Sequence, residues 1–230
     1  MITIHKADDR GTTELGWLES SHCFSFGNYF DPEKMGFRTL RVLNDDHVQP
    51  GKGFGMHGHR DMEIVTYVLK GTMEHKDDIG NSGVLRHGEI QRMSAGTGIH
   101  HSEGNHSGTE PLHFLQIWIV PAETGVPPSY EQAAFDLDAA RKDWVLLAAP
   151  TDGLVTVNQD VVMATTISPA GQKRILEFDE GRAGFLFVAH GSIRFHGNEL
   201  NAGDSAQIED ESSLEFESLF DAEVIAFDLA

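Results

Sequence analysis

The chain has 230 residues, 36 acidic against 17 Lys and Arg, a formal net charge of -19, and one cysteine, Cys23. That length supports a core without a disulfide or metal, and a single thiol excludes an intrachain disulfide. The acidity argues against direct contact with nucleic-acid phosphates or an anionic membrane; no apolar run reaches about 18 residues and no apolar N-terminal segment is present, so the expected location is the cytoplasm.

Residues 1–30 carry polar turns and then an aromatic group: Trp17, Phe24, Phe26, Tyr29 and Phe30. Phe24 and Phe26 alternate with polar residues, which predicts a strand with both rings in the core. Asp31-Pro32 and Met35-Gly36 mark a turn. FRTLRVLNDD reads as a strand with Phe37, Leu40 and Val42 as its apolar members, and HVQPGKGFG as a glycine-rich turn. Ile64 to Leu69 is a compact strand ended by Lys70-Gly71. Thr72 to Lys76 begins another, and DDIGNSG is a hairpin loop. Leu85 to Met93 contains a Gly88-Glu89 turn, Ser94 to Gly98 is again glycine-rich, and HFLQIWIV closes this half. Short strands at regular intervals between glycine turns predict an all-β barrel or sandwich.

Pro121, Pro127 and Pro128 interrupt the pattern, and Ala134, Leu137, Asp138 and Arg141 fall at helical spacing. The reading is therefore an N-terminal barrel over 1–125, a linker with short helical turns over 126–145, and a C-terminal barrel over 146–230. The last part repeats the first in worn form. Val68-Leu-Lys-Gly71-Thr-Met is matched by Val188-Ala-His-Gly191-Ser-Ile, and Gly88-Glu89 by Gly203-Asp204. Counting from these glycines sets Glu177 and Asp179 against His57 and His59, and Phe216 against His101, so the copy lacks the chemistry. His190 and His196 are expected on the surface or in the core.

Eight of the thirteen histidines lie between His57 and His113. His57 and His59 are one residue apart; in a strand, i and i+2 share a face roughly 6.6 Å apart along the chain. His101 and Glu103 repeat the arrangement. Two adjacent strands, each offering two groups inward, make a site of three histidines and one carboxylate that leaves two positions of an octahedral ion open.

These residues resemble the cupin pattern: Gly51, His57, His59 and Glu63 fit its first motif, with Gly71 one residue late. Gly88 opens the second, with Ser94 where proline is usual. Over nearly its full length the chain more closely resembles the pirin family of bicupins, through HCFSFGNYFDPEKMGFRTLRVLNDD, GFGMHGHRDMEIVTYVLKG and MSAGTGIHHSEGN. Gly58 departs from the family's proline between the first two ligands. The resemblance implies two jelly-roll-like cupin barrels in one chain, with a metal held in the N-terminal one by His57, His59, His101 and Glu103. It moves the carboxylate ligand from Glu63, its place in ordinary cupins, to Glu103 and leaves Glu63 beside the site. His100 must then point away; His75, His106 and His113 are decoys, and Gln116 is placed toward the cavity.

Iron(II) is the first choice from the family, and nickel, copper, cobalt, manganese or zinc fit the same ligands. Bacterial pirins of this kind are associated with quercetin 2,3-dioxygenase activity, in which O2 opens the central ring of a flavonol and carbon monoxide is released. On that pattern Glu103 is the catalytic base as well as a ligand, and Phe54 and Met73 hold the flat rings. The family also implies an alternative: a metal-containing regulatory or redox-sensing protein that acts by contact with a protein partner.

Overall fold

The computed structural model describes residues 1–230 and consists almost wholly of antiparallel strands, with one short α-helix, Leu137–Lys142. No helix is long and apolar enough to cross a membrane. The chain divides into two compact units. One is Gly11–Ala134 with Val155–Gln159; the other is Met1–Arg10, Phe135–Leu154 and Asp160–Ala230. Both are cupin barrels.

This division differs from the sequential one read off the composition. Ile2–His5 pairs in register with Ser205–Ile208, so the chain's first residues are a strand of the C-terminal barrel. Ser129–Ala134, placed in the linker, pairs with Glu89–Ser94 and belongs to the N-terminal barrel. SYEQAA has little β-branched content, so only its cross-strand partner makes it a strand. The helix is confined to Leu137–Lys142, and the Asp136 side chain caps it by accepting from the Asp138 N–H at 2.8 Å.

In the N-terminal barrel the larger sheet runs Ser129–Ala134, Glu89–Ser94, Glu63–Lys70, Leu112–Ile119, Leu40–Val48, Leu18–His22, Gly11–Glu14. The smaller runs Gly53–His59, Ile99–Asn105, Thr72–Asp77, Ser82–Arg86. Alternation along Leu40–Val48 puts Leu40, Val42, Asn44, Asp46 and Val48 on one buried face. One apolar cluster gathers Leu18, Val48, Val68, Met73, Leu85, Leu112 and Phe114; another gathers Ile64, Met93, Ala95 and Ile99. Each such side chain contributes roughly 1.5–3 kcal/mol on burial. Between Ile64 and Val68 the same face carries Thr66, and between Phe114 and Trp118 it carries Gln116, so a polar row crosses the barrel between two apolar clusters. Gly71 sits at φ +85°, and a Cβ there would stand 2.6 Å from the Pro111 carbonyl oxygen, so the hairpin between Lys70 and Thr72 requires glycine.

In the C-terminal barrel the larger sheet includes, in order, Ile2–His5, Ser205–Ile208, Ala183–His190, Ala222–Leu229, Val161–Ser168 and Val145–Ala149. The smaller runs Lys173–Glu177, Ser213–Ser218, Ser192–Phe195, Asn198–Asn201. Its interior is apolar: Phe178, Leu186, Ile193, Phe195, Leu214 and Phe216 pack together, with Leu176 against them. Pairing corrects the glycine count by one residue. His57 faces His101 across its ladder as Leu176 faces Leu214, and His75 faces Glu103 as Phe195 faces Phe216. The counterparts of His57 and His59 are therefore Leu176 and Phe178, while Glu177 and Asp179 are exposed. From Gly203 to Phe216 the chain is two residues shorter than from Gly88 to Glu103, which breaks the count. A one-residue slip in a strand exchanges its faces.

Candidate metal centre

His57 and His101 are direct cross-strand partners, and His59 is partnered by Ile99. The three imidazoles stand with ring centroids 4.5–4.9 Å apart and planes inclined by 50–76°, and one nitrogen from each lies within 4.8 Å of the others. Inclined rings let lone pairs converge on one ion at about 2.0–2.2 Å.

The hydrogen bonds fix which nitrogens are free. His57 Nδ1 lies 2.8 Å from the Gly55 carbonyl oxygen. A carbonyl only accepts, so Nδ1 carries the proton and Nε2 keeps its lone pair. His75 Nε2 lies 3.4 Å from Asp77 Oδ2, and His75 Nδ1 lies 3.5 Å from His101 Nδ1. His75 Nε2–H donates to the carboxylate, so His75 Nδ1 accepts and His101 Nδ1 donates. That leaves His101 Nε2, which is buried without a partner, as is His59 Nε2. Two unpartnered buried nitrogens beside the free one of His57 are what a metal ion would satisfy, and the donor set fits a divalent first-row ion. Burial, and then the neighbouring His57, lowers the His59 pKa to about 4; burial and the adjacent histidines lower that of His101 to about 2. Both rings are neutral at pH 7, the form that ligates.

Glu103 follows a bulge. Its cross-strand partner is Phe54, whereas His101, two residues before it, faces His57 three residues along the partner strand. Position 53 admits no side chain where the two strands approach, since a Cβ on Gly53 would stand 2.3 Å from the Gly104 Cα. Glu103 is 4% exposed. Its Oε1 accepts from Thr66 Oγ1 at 3.0 Å and Gln91 Nε2 at 3.2 Å, and its Oε2 from Gln116 Nε2 at 3.1 Å. Burial raises its pKa to about 7 against these three donors. Its carboxylate groups with His101 and His75, while His57, His59 and His101 form the other group, so His101 belongs to both.

His57, His59, Glu103 and Gln116 line a cavity of about 250 Å³ walled by Phe54, Phe114, Trp118 and Phe26. The size is just below the usual range for drug-sized ligands and suits one flat molecule. Trp118 meets His59 edge-to-face at 4.9 Å, and Phe26 meets Trp118 at 5.4 Å. Two expectations change here. Phe24 is core, but Phe26 lies in a turn bridged to Tyr29 and lines the cavity. Met73 does not reach the cavity; it is sealed in the apolar cluster, leaving Phe54 of the expected pair. Sequence reasoning missed Ser20, His22, Asn44 and Asp46, which also line it.

The remaining candidates fall away by geometry. Glu63 is three residues from Thr66 and so faces the other side of its strand, where it accepts from Ser94 Oγ at 2.8 Å and is not beside the metal ligands. His100 is exposed and pairs with Asp78 at 3.1 Å. His106, His190 and His196 are exposed. His47, His113 and Asp45 cluster, but the two rings lie face to face at 3.8 Å and 20°, so their lone pairs run side by side, and Asp45 holds His113 Nε2 at 2.6 Å. His75 is the decoy with a role, as the partner of His101.

Comparison with known proteins places this geometry. The pirin family model matches residues 4–119, and the model of the quercetinase C-terminal cupin domain matches residues 144–229. The chain belongs to the pirin family. It is 44% identical to the quercetin 2,3-dioxygenase of Escherichia coli K12, over 100% of this chain and 99% of that one. The crystal structure of E. coli YhhW superposes with a TM-score of 0.95 at 44% identity, covering 100% of this chain and 98% of that one. The nickel(II) complex of this bacterial pirin superposes at 0.94 and 43% identity, covering 100% and 99%. Together with the donor set, these relatives support a divalent metal in this pirin.

Proposed function

We propose that this pirin is a metal-dependent dioxygenase of the quercetin 2,3-dioxygenase type, an oxidoreductase that opens the central ring of a flavonol-like substrate with O2. One observation carries the reading most: three imidazoles, His57, His59 and His101, converge beside a cavity of aromatic walls that also holds a buried carboxyl. The curated relatives named for this activity support it along the full chain.

His57, His59 and His101 are the ligands, and Glu103 is the fourth, reached through His101. Iron(II) is the ion we favour. A divalent ion held by these residues would supply Lewis acidity toward the flavonol oxygen. His75 holds the His101 tautomer through its hydrogen bond to Nδ1. Phe54, Phe114 and Trp118 orient the flat rings and exclude water. Glu103 takes the proton of the substrate 3-hydroxyl on a carboxylate oxygen. Thr66, Gln91 and Gln116 hold that carboxylate in place while it changes charge.

The test is O2 uptake by the iron(II)-loaded protein on adding quercetin, with His57→Ala as control. Uptake by the wild type and none by the variant is expected. No uptake with the metal fully bound would overturn the reading.

A further inference from the structure

Asp46 takes no part in holding a metal, yet it is the second carboxyl lining the cavity. In register it sits between Ser20 on one neighbouring strand and Phe114 on the other, with Asn44 two residues away on its own face. Ser20 Oγ–H donates a hydrogen bond to Asp46 Oδ1. The Ser20 hydroxyl also lies 3.4 Å from His22 Nδ1, which stands 2.8 Å from Asn44 Oδ1, and Thr13 Oγ1 lies 2.9 Å from His22 Nε2. These side chains position one another, so the polar patch is built before a ligand arrives.

Asp46 is 4% exposed and no cation pairs with it; its charged neighbours are the carboxylates Asp45 and Glu103. Burial raises its pKa to about 7. Oδ2 has no protein partner and is the polar group Asp46 offers to the cavity. A buried carboxyl in this state needs a hydrogen-bonding partner. The surrounding aromatic walls, Phe54, Phe114 and Trp118, suit a flat ring system.

We infer that Asp46, held by Ser20, is a specificity residue: its free oxygen binds a phenolic hydroxyl of the substrate other than the 3-hydroxyl, so the cavity selects polyhydroxylated flavonols. The inference rests on the flavonol reading of the same cavity. A site built to bind a hydroxyl discriminates strongly against the analogue that lacks it, because the buried polar group is then left unmatched.

The experiment is anaerobic equilibrium titration of the metal-loaded protein with quercetin and with 3-hydroxyflavone, which carries the 3-hydroxyl alone, read by flavonol absorbance. The wild type is expected to bind quercetin about tenfold or more tighter. Asp46→Leu brings the two affinities within about twofold, and Asp46→Asn, whose carbonyl oxygen still accepts, falls between. Unchanged metal content shows that each variant is folded. If Asp46→Leu does not fold, Ser20→Ala, which frees Asp46 from its clamp, is expected to lose part of the preference. Equal affinities in the wild type overturn the inference and leave the flavonol reading standing. So does a preference that survives Asp46→Leu, or one that neither Asp46→Asn nor Ser20→Ala diminishes. Binding of neither flavonol to the wild type overturns both.

Discussion

The two barrels follow one strand plan and differ in what they put inside it. At paired positions the N-terminal barrel has His57, His101, His75 and Glu103 where the C-terminal barrel has Leu176, Leu214, Phe195 and Phe216. Thr66, five residues before Gly71, answers to Leu186, five before Gly191. One interior is a continuous apolar core; the other interrupts its core with a row of hydrogen-bonded polar groups and opens beside it a cavity of about 250 Å³. The fold is indifferent to this choice, since antiparallel ladders satisfy the backbone in both. The candidate chemistry lies in the polar barrel alone.

The contrast predicts where substitutions cost stability and where they cost function. Phe216 is 1% exposed, and Phe216→Ala should destabilise the protein by about 3–5 kcal/mol while leaving metal content unchanged. Denaturant melts with metal analysis would check both halves, and metal loss in the folded variant would break the comparison.

The next effect arises from Asp46, with a pKa raised by burial from 3.8 to about 7. Between these values the folded state holds a proton that the unfolded state has released, so stability falls as pH rises from about 4 to 7 and levels off above. Asp46→Asn removes that loss. The variant should gain about 2–4 kcal/mol over the wild type at pH 8 and almost nothing at pH 4. Equal gains at both pH values would mean that Asp46 is charged throughout.

The smallest effect is the most specific. His75→Phe copies Phe195 into the polar barrel and removes the acceptor for His101 Nδ1–H. Metal affinity should fall about 10–100-fold without loss of fold. Competition with a chelator would measure it, and unchanged affinity would reduce His75 to filler.

The candidate ligands were legible because strand periodicity is local: the pairs His57 with His59 and His101 with Glu103 need only the alternation of a strand, and the preference for Glu103 over Glu63 came from the family resemblance. The all-β class was readable from glycine spacing, but the glycine count set two carboxylates, Glu177 and Asp179, against His57 and His59, and only strand pairing replaces them with Leu176 and Phe178. The division of the chain was not readable, because Ile2–His5 acquires its place from a partner two hundred residues away. Asp46 and Asn44 were hidden for a related reason. They stand at the polar end of the strand read from FRTLRVLNDD, and only pairing with Leu18–His22 and Leu112–Ile119 puts them in the middle of a buried strand. Glu63 misled because a motif spacing carries no face, whereas its register with Thr66 does.

The central claim is that one barrel holds one metal through three converging imidazoles. Metal stoichiometry by mass spectrometry, on wild type and on His101→Leu, tests it most directly, since leucine is what the other barrel places there. The account predicts one divalent ion per wild-type chain and none in the folded variant. A variant that kept its ion, or a wild type that held a second in the C-terminal barrel, would contradict it.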